Sequence, residues 1–219
     1  MVRFVVMAAG QATRMGQDKL VLPWRNTTVL GYVLETALEA IAILEQRLLD
    51  ESSSAMIPEI YVVARHPMQA YLTEGCIRKF NFRRGVWIQV PNPRPLAETL
   101  RSGLQDLKSD VQSIGFLPGD QVGITAQRLA DCLQQVMQNL PDFLVPIAGD
   151  KAVSPVFFHR RYVPELLELC GEQGGREVLY RYPERWQTYS VEDSFFQDVD
   201  TPEQYNALRV QNSKGESCE

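Results

Sequence analysis

Apolar and polar positions along the chain follow two alternating periods. Short, solidly apolar runs rich in β-formers stand at Val2–Ala8, Glu59–Ala64, Val86–Pro91, Ser113–Leu117, Phe143–Ile147, Pro155–His159 and Gln187–Val191, with a weaker one at Phe195–Val199. Between them, apolar positions recur at helical spacing. The clearest stripe is Leu30–Leu49, with Leu30, Val33, Leu34, Ala37, Leu38, Ile41 and Leu44 on one face. Further helices are expected over Pro67–Lys79, Ala97–Leu107, Thr125–Asn139, Pro164–Leu169 and Gly175–Arg181. A last one starts at Thr201-Pro202-Glu203-Gln204, where Thr201 serves as N-cap, Pro202 as first helical residue and Gln204 as the far side of a capping box.

Strands this apolar, alternating with helices, predict an α/β fold: a single three-layer α/β/α domain around a mostly parallel, Rossmann-like sheet covered on both faces. The expected domain runs over 1–210, and the polar tail 211–219 is expected to be disordered. Ligands of such sheets bind beyond the carboxyl ends of the strands, so the segments just after each strand are the places to search.

Composition narrows the picture. With 219 residues, 45% hydrophobic, the chain can bury one sizeable core. The formal charge of -5 is spread along the chain without a basic stripe, so no nucleic-acid partner is expected. No apolar run is long enough to span a bilayer and none has the pattern of a signal peptide, so the expectation is a soluble, cytoplasmic protein with no membrane partner. Cys76, Cys132, Cys170 and Cys218 form no C-x-x-C, and His66 and His159 stand alone, which argues against a zinc site, a disulfide framework or a Ser-His-Asp triad.

Candidate chemistry begins after the first strand. Ala8-Ala9-Gly10 leads into a loop that carries Arg14, Gly16 and Lys19. Gly10 and Gly16 expose backbone N–H groups, and Arg14 and Lys19 add positive charge, which together make a phosphate cradle. Gly10 as a plain turn and solvated Arg14 and Lys19 are the bland alternatives for each residue alone. Gly10 and Gly16 are one residue too far apart for a P-loop, Gln17 follows where Lys is needed, and G-x-G-x-x-G is absent.

Two acidic segments add a second chemistry. In Gly115-Phe116-Leu117-Pro118-Gly119-Asp120-Gln121 an apolar run delivers Asp120 at its carboxyl end, either as a turn residue or as a ligand for a hard cation. In Asp198-Val199-Asp200-Thr201-Pro202-Glu203 the two aspartates alternate on an extended segment and can face one side. Asp198 is read as facing the site, Thr201 as capping the helix, and Asp200 stays open between the two roles.

The loop pattern A-A-G-x-x-x-R-M-G-x-x-K resembles the signature of nucleotidyltransferases with a GT-A-like fold. The wider set MAAGQATRMGQDK, PGDQV, SPVFF, GEQGGRE and DVDTPEQY, from Val2 to about Leu208, resembles the molybdenum cofactor cytidylyltransferases, the MobA-like NTP transferases. That resemblance implies transfer of CMP from CTP to the phosphate of molybdopterin with release of pyrophosphate, and Mg²⁺ as cofactor. It implies catalytic roles for Lys19, Arg14 and Asp120, and metal binding by Asp120 and Asp198. The nucleotide would be bound by Ala8, Ala9, Gly10, Arg14, Gly16 and Lys19, with Pro91, Asn92 and Thr99 from the segment after the third strand. The A-A-G form leans to CTP rather than GTP. The stretch Pro91–Leu104 is shorter than in the resembled family, and Thr99 stands where Ser is usual. The alternatives are a related transferase using another NTP or a sugar or polyol phosphate, and a non-catalytic binder or maturation partner that serves a molybdenum enzyme or its chaperone.

Overall fold

A computed structural model describes residues 1–10, 18–51, 56–90, 93–192 and 197–215. Eight described strands form one sheet, in the order β5 (Val86–Gln89), β4 (Glu59–Ala64), β1 (Val2–Ala8), β6 (Ser113–Pro118), β9 (Val156–His159), β7 (Phe143–Ala148) and β10 (Trp186–Val191), with β8 (Lys151–Ala152) beside β7. All pairs from β5 to β6 are parallel, as is β7 with β10. Only β9 breaks the run, antiparallel to both β6 and β7, and β8 is antiparallel to β7. A small hairpin, β2 (Pro23–Trp24) with β3 (Thr27–Thr28), stands apart from the sheet.

The period-two pattern divides the core. Val2, Phe4, Val6 and Ala8 enter one apolar cluster, and Val5 and Ala9 enter the other. The first cluster is closed by α1 (Val29–Asp50), α2 (Glu74–Phe82), α4 (Ala126–Asn139) and Tyr205 of α7 (Pro202–Gly215). The second is closed by α3 (Leu96–Gly103), α5 (Val163–Glu168) and α6 (Gly175–Leu179). The single three-layer α/β domain with a mostly parallel sheet is therefore observed as expected.

Three expected elements differ, each for a local reason. The helix over Pro67–Lys79 is instead a short 3-10 turn, Met68–Ala70, followed by α2, whose N-cap Thr73 accepts from the Cys76 N–H at 3.2 Å. Between them the Tyr71 carbonyl accepts the Thr28 hydroxyl at 2.7 Å, which takes it out of any helical ladder. The helix over Ala97–Leu107 stops at Gly103. Buried Arg3 draws the carbonyls of Gly103, Gln105 and Asp106 to its guanidinium at 3.3, 2.6 and 3.2 Å, and so caps the end of α3 from the sheet. The weak strand at Phe195–Val199 begins outside the described residues, and residues 197–199 are not in a strand. They lie instead along the turn after β6, with Gly123 N–H on Gln197 O at 2.9 Å and Val199 N–H on Asp120 O at 3.2 Å.

Candidate active site

The carboxyl ends of β1 and β6 lie side by side, with Met7 opposite Pro118 in the parallel register. Ala8 ends β1 and Ala9 follows it, both buried, and Gly10 emerges exposed with open space where a Cβ would stand. The turn after β6 folds back onto β1 through Gly119, whose N–H donates to Met7 O at 2.9 Å. A Cβ at Gly119 would stand 3.1 Å from that same oxygen and 3.2 Å from the Ala8 Cβ, so a small residue lets the turn lie this close. The next residue is Asp120, delivered to the rim of the sheet.

Asp198 and Asp200 reach the same rim by a different route. Val199 is fully buried in the first apolar cluster, and its backbone is bonded to Asp120. Alternation along this extended segment turns Asp198 and Asp200 away from the core. The segment is held from the other side by the capping box of α7. Gln204 Oε1 accepts from the N–H groups of Asp200 and Thr201 at 3.0 Å each, and Thr201 Oγ1 accepts from Gln204 N–H at 3.2 Å. Thr201 is thus the cap, as the spacing predicted.

Lys19 completes the group. Its ammonium pairs with Asp200 Oδ1 at 2.7 Å and with Asp120 Oδ2 in a still closer contact. The chain following Lys19 is tied to α7, because Tyr205 Oη donates to Pro23 O at 2.6 Å. One cation therefore joins carboxylates 101 and 181 positions away in sequence. Burial acts to lower the Lys19 pKa, but the charges and hydrogen bonds of Asp120 and Asp200 outweigh it and raise the ammonium above its ordinary value. Asp198 is also shifted upward, by partial desolvation first and then by the negative charges of Asp200 and Asp120.

The donor set suits a hard divalent cation. Asp120 and Asp198 offer carboxylate oxygens, the donors such a cation prefers. Among the described residues no group of three His, Cys, Asp or Glu side chains converges to hold a metal. A cation here would take one or two carboxylates and complete its shell with water and phosphate oxygens, as magnesium commonly does.

The other expected contacts divide. Arg94 N–H donates to Ala9 O at 3.4 Å, which lays the segment after β5 against the end of β1. Thr99 is buried in α3, 1% exposed, with its hydroxyl donating to Pro95 O at 3.4 Å, so it is not presented to the rim. Arg14, Gly16, Pro91 and Asn92 lie outside the described residues.

Sequence reasoning passed over one neighbouring group. Asp18 pairs with Arg65 at 2.6 Å and stands 3.3 Å from the Tyr71 hydroxyl and 3.6 Å from His66 Nε2. Arg65 and His66 directly follow β4, a position that the search after each strand should have covered.

The family model described as the MobA-like NTP transferase domain matches residues 4–186. The chain belongs to this family. It is accordingly an enzyme of the nucleotidyltransferase kind. The matched stretch of the MobA-like domain includes Lys19 and Asp120 and ends before Asp198, which only the fold brings to them. Among curated proteins no significant match is found. Solved structures share the fold at low identity. Rv0371c from Mycobacterium tuberculosis aligns with a TM-score of 0.73 at 21% identity, covering 96% of this chain and 98% of that one. Its manganese complex aligns at 0.70 and 22%, covering 95% and 98%. A cytidylyltransferase from Leptospira borgpetersenii gives 0.61 at 17%, covering 97% and 85%. Molybdopterin-guanine dinucleotide biosynthesis protein A from Archaeoglobus fulgidus gives 0.60 at 18%, covering 98% and 100%. Among the described residues, no helix is long and apolar enough to cross a membrane.

Proposed function

We propose that this MobA-like enzyme is a cytoplasmic cytidylyltransferase that transfers CMP from CTP to the phosphate of molybdopterin and releases pyrophosphate, with Mg²⁺ as its cofactor. The observation that carries the reading is the convergence of Lys19 with Asp120 and Asp200 at the carboxyl ends of β1 and β6. A triphosphate and a phosphorylated acceptor are both anions, so the work of the protein is positioning and charge neutralisation. Lys19, with Arg14, balances charge on the transferred phosphoryl group and the leaving pyrophosphate. Ala8, Ala9 and the exposed Gly10 line the base and ribose, and Pro91 and Asn92 add to the nucleotide contacts. Asp120 and Asp198 would hold the metal, which would supply positive charge that lessens the repulsion between the two anionic reactants. The acceptor phosphate oxygen bonds to the α-phosphorus in line as the bond to the bridging oxygen breaks, and no protein nucleophile is required.

The choice of CTP rests on Ala9 in the A-A-G segment and agrees with the cytidylyltransferase among the structural relatives. The pterin acceptor rests on the motif set and agrees with the molybdopterin-guanine dinucleotide protein among them. Thermal unfolding with each of the four NTPs, with and without Mg²⁺, tests the reading. At a hundred times its Kd a ligand adds roughly 2.7 kcal/mol, which for a chain of this size is a rise of about 5–11 °C. A Mg²⁺-dependent rise with CTP, followed by pyrophosphate release on adding molybdopterin, is the expected outcome. A rise with a different NTP alone refutes the cytidylyl assignment, and no rise with any NTP refutes nucleotide binding at this site.

A further inference from the structure

Asp18, next to Lys19, uses both of its carboxylate oxygens. Oδ1 accepts the Leu20 N–H at 3.1 Å and so caps the short turn Lys19–Val21. Oδ2 meets the Arg65 guanidinium at 2.6 Å and the Tyr71 hydroxyl at 3.3 Å. The Asp18 and Arg65 side chains are only 13% and 15% exposed. Arg65 follows Ala64, which lies opposite Ala8 in the β1–β4 register, so it rises from the sheet beside the start of the loop. Tyr71 is buried, and burial together with the Asp18 charge pushes its phenol far up, which keeps it a neutral donor. Leu20, one residue beyond Lys19, is buried in the core. The turn is thus pinned by a carboxylate on one side of Lys19 and by an apolar anchor on the other.

We propose that Asp18 is a positioning residue of this site: paired with Arg65, it locks the turn that aims the Lys19 ammonium at Asp120 and Asp200. The geometry stands without any ligand. The consequence for nucleotide binding rests on the reading given under Proposed function.

Three substitutions separate aim from bulk stability. Asp18→Asn keeps an oxygen for the Leu20 N–H and removes the charge that faces Arg65. Arg65→Met removes the partner, and Arg65→Lys restores its charge. The first readout needs no nucleotide. A short pulse of acetic anhydride is followed by peptide mass spectrometry, with labelling of Lys19 compared with exposed Lys79 and Lys151 in the same molecule. An ammonium held by two carboxylates acylates slowly. Loosening it is expected to raise Lys19 labelling roughly three- to tenfold in Asp18→Asn and Arg65→Met, in line with the loss of one charge-assisted contact. Labelling of Lys79 and Lys151 stays unchanged, and Arg65→Lys falls back toward the wild-type rate. The second readout is the Mg²⁺–CTP shift in unfolding temperature, expected to shrink by about half or more in the same two variants as phosphate loses a preorganised cation. Unchanged Lys19 labelling in both variants overturns the proposal. So does a uniform rise at all lysines with a collapse of the unfolding temperature, which would mark a merely structural pair. A wild type that ignores every NTP overturns the functional reading alone, while the labelling result still decides the positioning role.

Discussion

Replacing Lys19 by Met removes one charge and keeps most of the side-chain volume. In the structure that charge is shared by Asp120 and Asp200, and the Lys19 and Asp120 side chains are each 16% exposed while Asp200 is 35% exposed. A hydrogen bond to a charged group is worth about 1.5–3 kcal/mol when sheltered, and the more open Asp200 contact is discounted for screening. The Asp120 contact therefore dominates, and the loss is expected to be about 2–3 kcal/mol, since Asp120 and Asp200 are left facing each other and Asp198. For a chain of this length that is a fall of roughly 4–12 °C in unfolding temperature. The sign with pH follows from the raised Lys19 pKa. A raised folded value means that the stabilisation is fully present below the unfolded lysine value of about 10.4 and is lost as pH rises through the folded one. The gap between wild type and variant should be equal at neutral and mildly alkaline pH and close only in strong alkali. Divalent cations supply a second check. With the ammonium gone, Mn²⁺ at about ten times its Kd should return roughly 1.4 kcal/mol to the variant. Scanning calorimetry across pH, with and without Mn²⁺, reads both effects. A variant as stable as wild type at pH 7 that gains nothing from Mn²⁺ would refute the pairing of Lys19 with this carboxylate group.

Three further outcomes follow from the same geometry. Asp120→Asn should keep the fold, abolish the metal-dependent part of the CTP-induced shift, and lower turnover by roughly 10²–10³-fold, as loss of one preorganised electrostatic element does; steady-state pyrophosphate release and circular dichroism check it. Arg3→Met should cost about 3–5 kcal/mol in urea unfolding, because Glu59 and three carbonyls lose a buried cation, yet leave the CTP-induced shift unchanged since Arg3 sits at the opposite end of β1. Gln204→Ala should cost about 1 kcal/mol for the lost half of the capping box and also weaken Mn²⁺ binding, because the segment that carries Asp198 loses its holder at Asp200 and Thr201; titration with Mn²⁺ separates the two effects.

Much of this protein is readable from local chemistry. The apolar run Val2–Ala8 must be buried on both faces, and the structure places its alternate residues in two clusters. Leu30–Leu49 carries its stripe at helical spacing and forms α1 within a residue of either end. Thr201 and Gln204 pair across a single turn, and that contact needs only the backbone between them. Lys19, Asp120 and Asp198 stood out as candidates from local pattern alone: Lys19 by its spacing from Gly10 and Gly16, Asp120 by the apolar run before it, and Asp198 by the cap that follows. Such signals reach only a few residues along the chain.

What they are bonded to is a matter of the sheet order. Asp200 was undecided between cap and site until Val199 bonded to Asp120, turning both flanking carboxylates to the rim where Lys19 meets Asp200. The partnership of Asp18 with Arg65 exists because β4 lies next to β1, a neighbour relation that no periodicity encodes. The helix expected over Ala97–Leu107 ended early because Arg3, about 100 positions before it, took its last carbonyls. Secondary structure and the kind of chemistry are decided by side-chain spacing and backbone preference, which act over one or two turns. Ion-pair partners and the ends of elements are decided by which strands lie side by side, and that arrangement exists only once the whole core has packed.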